Sequence, residues 1–181
     1  IPANYLTRDT GGQCSEMNTP KWRTGSPGQI ILSLALIMTS VAMVAFLFNG
    51  DHLGNPAWHP HARFHGAQTA GIGMAMGLLG LWLLWRPTTD RRPGIIAAAV
   101  LAAIPPLSEF GALLVPGTSP IPNATNPNTI SIWGLEVPGN LIAFAAMLIL
   151  IAVGLTLALR GLRSSEKENS IRAESGPRSN E

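Results

Sequence analysis

Four long apolar runs leave this chain few ways to fold. Residues 29–48, 64–85, 94–115 and 139–159 are each long enough to cross a ~30 Å hydrocarbon layer, which takes ~20 helical residues. Between Gln29 and Leu159 the formal charges are Asp51, Arg63, Arg86, Asp90, Arg91, Arg92, Glu109 and Glu136. Charged residues make up 12% of the chain against the ~25% of soluble proteins, so a water-soluble globule is disfavoured. The runs lack the two-residue alternation of strands, and a spanning barrel needs at least about eight of them. The expected fold is all-α: an integral membrane four-helix bundle over 26–163, flanked by unstructured segments at 1–25 and 164–181.

Charge sets the expected orientation. Eleven of the 12 basic residues precede run one (Arg8, Lys21, Arg23), separate runs two and three (Arg86, Arg91, Arg92) or follow run four (Arg160, Arg163, Lys167, Arg172, Arg178). Retention of positive charge on the cytoplasmic side then puts both termini in the cytoplasm and loops 49–63 and 116–138 outside. The net charge of +2 resides beside apolar runs rather than on one basic face, so no nucleic-acid partner is expected. A single cysteine, Cys14, excludes an internal disulfide, a cysteine-built zinc cage and an iron–sulfur cluster.

The polar residues concentrate near one level. All four histidines, His52, His59, His61 and His65, fall just before or at the start of run two, where Pro60 suits a first helical turn. At ~100° per residue, His61, His65 and Gln68 share one stripe. Gly66, Gly73, Gly77 and Gly80 form another stripe, suited to close helix packing. Counted from the cytoplasmic arginines at ~1.5 Å per residue, His65, Glu109 and Asn140 lie roughly 31, 25 and 30 Å up. Asn49 and Asp51 end run one at the same level. Glu109 is the one carboxylate inside a run, and such a group must face the interior, be protonated or find a partner. Pro105 and Pro106, one turn earlier, remove backbone donors and open space beside it. Trp58, Trp133 and the segment 116–128 would lie over this cavity. Asn123-Ala-Thr125 is a glycosylation tripeptide in an outer loop, of a kind that often arises by chance.

The run Asn-Pro-Ala-Trp-His-Pro-His-Ala-Arg-Phe-His-Gly-Ala-Gln, residues 55–68, resembles the signature of a family of small uncharacterised four-span membrane proteins, with His59 where that signature has another proline. Leu114–Thr118 fits the same family. The resemblance implies the four-span fold and no established activity. More loosely, an acidic residue with histidines in an outer cavity of four spans is similar to the sterol-isomerase and sigma-2-receptor superfamily.

Three classes of function follow. The first is an acid–base enzyme on a lipid or lipophilic small molecule, catalysing double-bond isomerisation, epoxide opening or cyclisation. Glu109 would be the acid, His65 or His61 the base, and Arg63, Gln68, Asp51, Asn140 and Trp58 would line the substrate site. No cofactor is required by that reading. In the second, a single metal ion is held by His61 and His65 at i, i+4, with Asp51, His59 or Glu109 completing the shell. The third is non-catalytic: an accessory subunit of a larger membrane complex or a lipid-binding receptor. A homodimer is compatible with each.

Overall fold

The computed structural model describes residues 25–50, 52–121 and 128–174; the expectations for residues 1–24, Asp51, Asn123 and 175–181 lie outside them. Helix α1 runs Pro27–Leu47, α2 Pro60–Trp85 and α3 Arg92–Ala112; strands β1 (Thr129–Ile132) and β2 (Leu135–Pro138) precede α4 (Gly139–Glu174). Among the described residues these four helices are long and apolar enough to cross a membrane.

Local chemistry fixes where the first three begin. Ser26 and Gln29 cap α1 reciprocally, the Gln29 backbone N–H donating to Ser26 Oγ and the Ser26 N–H to Gln29 Oε1, with Pro27 in the first turn. His59 caps α2, its Nδ1 accepting from the His61 N–H at 3.2 Å ahead of Pro60. Asp90 Oδ1 accepts from the Arg92 N–H at 3.0 Å at the start of α3.

The helices pack as a ring in chain order, with α4 closing on α1 and α1 also touching α3 across the middle. The core is small and aliphatic, drawn from Leu32, Ala35 and Leu36 of α1, Leu84 of α2, Ala98, Ala99 and Ala102 of α3, and Ile151 and Ala158 of α4. Larger apolar side chains point outward, and Val41, Leu78, Val100 and Ile149 are all more than half exposed. Water would penalise that surface. Lipid would not, because it solvates leucine as well as a core does and leaves close packing of small residues to drive association. The distribution is compatible with a multi-pass membrane protein.

The glycine stripe of α2 packs as its spacing predicts. Gly73 faces Met43, Gly77 faces Ser40 and Gly80 faces Leu36, and a Cβ on Gly77 would overlap the Ser40 hydroxyl. Neighbouring helices are antiparallel, so the bundle has two distinct ends. At one, the arginine end, the start of α1 meets the end of α2 and the later part of α4. The other, the histidine end, holds the α1–α2 loop, the last turn of α3 and the β hairpin.

Three local expectations need correction. The segment after residue 163 is helical as far as Glu174 rather than unstructured. No glycine or proline interrupts residues 162–174, and Glu, Lys, Arg and Ala let a helix nucleated in the apolar run propagate cheaply. Helix α3 stops at Ala112 although the apolar run continues to Val115. Pro116 disfavours helical backbone at the preceding residue, and the Thr118 hydroxyl donates to the Ala112 carbonyl at 2.7 Å.

The third correction is a hairpin in the loop before α4. Trp133 (φ 51°) and Gly134 (φ 83°) form a two-residue turn of the primed kind, and the register pairs Ile130 with Val137 and Ile132 with Leu135. Those four share one face, with Ser131 and Glu136 paired on the other. The Gly139 N–H donates to the Asn128 carbonyl at 2.8 Å, tying the hairpin base to α4.

Candidate functional site

Two polar groups occupy the histidine end. The first is built on the α1–α2 loop, where Asn49 folds the backbone back on itself. Its carbonyl accepts from the Gly54 N–H at 3.0 Å and its side-chain oxygen from the His52 N–H at 3.1 Å. The same Oδ1 lies 2.9 Å from His52 Nδ1, and because an amide oxygen only accepts, Nδ1 carries the proton. Nε2 then carries the ring's lone pair. Trp58 stands edge-on to the His52 ring, with centroids 5.4 Å apart at 73°. Buried Leu53 packs beside Gly66, pinning the loop onto the first turns of α2.

Glu109 lies at the same end of the bundle. It is half-buried near the end of α3, just beyond the buried Pro105 and Pro106, and His52 is near enough to influence it electrostatically. A carboxyl group and an imidazole at the same end of an apolar bundle are of the types that can give and take a proton. Asn140 is half-buried in the first turn of α4.

The second group lies on α2. His61 and His65 approach through their Nε2 atoms at 3.1 Å, with ring centroids 4.5 Å apart at 83°. His65 Nδ1 lies 3.3 Å from Gln68 Oε1, and the Thr69 hydroxyl donates to the His65 carbonyl at 2.8 Å. His61, Arg63, His65 and Gln68 are all exposed. The buried side of α2 is the glycine ridge, roughly 120° around from His61 at ~100° per residue, so the histidine stripe points away from the bundle.

The expected approach of Glu109 to His61 and His65 is not seen among the described hydrogen bonds and ion pairs, in which those two histidines bond to each other and to Gln68. Among the described residues no group of three or more His, Cys, Asp or Glu side chains converges. Trp58 touches the His52 ring, whereas Trp133 stands fully exposed at the hairpin turn. Sequence reasoning placed His52 within the histidine cluster without singling it out. Its signal was the Asn49-x-x-His52 spacing, a turn pattern rather than a helical one.

Residues 30–169 match a family profile that spans both polar groups and all four helices. The chain belongs to DUF6640, a family of unknown function. No curated protein and no solved structure matches it. The segment of this DUF6640 chain that resembled an uncharacterised family, residues 55–68, falls inside the matched region and carries the exposed histidine pair.

Proposed function

We propose that this DUF6640 protein is a multi-pass membrane protein whose Glu109–His52 pair performs acid–base chemistry on a lipophilic small molecule, of the double-bond isomerisation, epoxide-opening or cyclisation class. The observation that carries the reading is a half-buried carboxyl group within electrostatic reach of an imidazole whose Nδ1 is committed to Asn49. Glu109 gives a proton and His52 Nε2 takes one. Trp58 forms an apolar wall next to His52, suited to a hydrocarbon substrate. With the arginine end in the cytoplasm, this mouth opens at the outer leaflet. The looser likeness to sterol isomerases points to the same substrate class.

The test compares lipid-extractable metabolites of cells making the wild type with those making Glu109→Gln. Glutamine keeps shape and hydrogen bonding but cannot exchange a proton, so a metabolite should shift with wild type alone while folded protein is retained. Identical profiles at equal folded protein contradict the catalytic reading. A second reading, a non-catalytic subunit of a membrane complex, draws on the outward-facing polar stripe of α2 and on the exposed Trp133 hairpin. Copurification of a stoichiometric partner would favour it.

A further inference from the structure

We propose that His61 and His65 form the protein's half of a divalent transition-metal site, oriented by Gln68 and independent of the Glu109–His52 pair. One turn of α2 separates the two histidines, and their Nε2 atoms converge at 3.1 Å. Two nitrogens bound about 2.05 Å from one metal ion stand about 2.9 Å apart at a right angle and about 3.35 Å apart at the tetrahedral angle. The observed separation lies between those limits, so an ion can be taken up without moving the helix.

Gln68 supplies the orientation. Its Oε1 can only accept, so His65 Nδ1 holds the proton and the Nε2 lone pair is directed at His61. A metal-bound histidine usually has its second nitrogen engaged in this way, which fixes the tautomer and the ring plane. His61 bonds to the protein through Nε2 toward His65 alone among the described hydrogen bonds, so its ring can present that lone pair when an ion replaces the shared proton. Imidazole pairs suit zinc, nickel and copper ions, and the remaining positions are filled by water or by groups from outside the chain. The pair is exposed at the start of α2, above the longest apolar stretch of the helix, where an aqueous ion has access.

The experiment is zinc titration by calorimetry on the full chain purified in detergent, in a Cys14→Ser background because a thiol is itself a zinc ligand. One zinc ion per chain is expected, with binding at least ~10-fold weaker in His61→Ala and in His65→Ala. Both residues are exposed, so these variants should fold. Gln68→Ala should weaken binding by ~10–100-fold, as loss of an orienting partner does, while His52→Gln leaves it unchanged. Wild-type affinity in both alanine variants would overturn the proposal. Equal loss in His52→Gln would also overturn it, by showing that the loop histidines bind zinc collectively rather than through this pair.

Discussion

The two ends of the bundle are built differently. At the arginine end, buried Gln29 reaches from α1 to the Leu84 carbonyl of α2, Trp85 Nε1 donates to Ser33 Oγ at 2.8 Å, and Gly28 lets α4 approach at Gly154 and Ala158. Polar groups there are spent on joining helices. At the histidine end, Asn49 orders a loop, His52 lies within electrostatic reach of Glu109, His61 and His65 face outward, and a hairpin exposes Trp133. One end joins helices through its polar groups and the other gathers polar groups that join none, a division by which a small bundle can carry groups that do not stabilise it.

The largest effect expected from that division is at Gly28. A Cβ there would meet backbone atoms of Ala158 and Gly154, which cannot rotate aside, so Gly28→Ala should cost ~1–3 kcal/mol or more in thermal unfolding in detergent. Gly71, in the half of α2 nearer the histidines, has open space around its Cβ position, and Gly71→Ala should stabilise by ~0.5–1 kcal/mol through helix propensity alone. Equal losses at both sites would break the comparison.

The smallest effect concerns the hairpin. Glu136 is fully exposed, and hydrogen bonds from the Thr129 hydroxyl, at 2.7 Å, and from Ser131 hold its carboxyl below the ordinary glutamate range. A depressed folded value means the contribution is present above the unfolded pKa and lost as pH falls through the folded one. Amide exchange of Ile130 and Val137, corrected for intrinsic rate, should therefore quicken as the solution is acidified below the normal glutamate pKa. Thr129→Val should flatten that dependence. An unchanged profile in the variant would remove Glu136 from the account of the hairpin.

The four long helices and the glycine ridge of α2 were legible in sequence, because run length and glycine spacing are local signals that tertiary structure did not override. The histidine end was legible only in part. Depth along each helix gathered Asn49, His65, Glu109 and Asn140 near one level, but depth carries no rotation. The rotation of His61 and His65 was available from the same arithmetic that defined the glycine ridge, since a helix that packs through Gly73 and Gly77 must turn His61 away. The nearness of His52 to Glu109 had no such signal, because it depends on how the α1–α2 loop folds. The hairpin was hidden for a related reason: its turn is Trp-Gly rather than the Asn-Gly or Asp-Gly that announces this geometry.

The central claim is that Glu109 works with His52 and not with the α2 histidines. A pair of double-mutant cycles on thermal stability in detergent tests it most directly, one combining Glu109→Gln with His52→Ala and the other combining Glu109→Gln with His65→Ala. Residues that interact directly show coupling of ~0.5–3 kcal/mol, while separated ones add. The account predicts coupling in the His52 cycle and additivity in the His65 cycle; additivity with His52 together with coupling to His65 would contradict it.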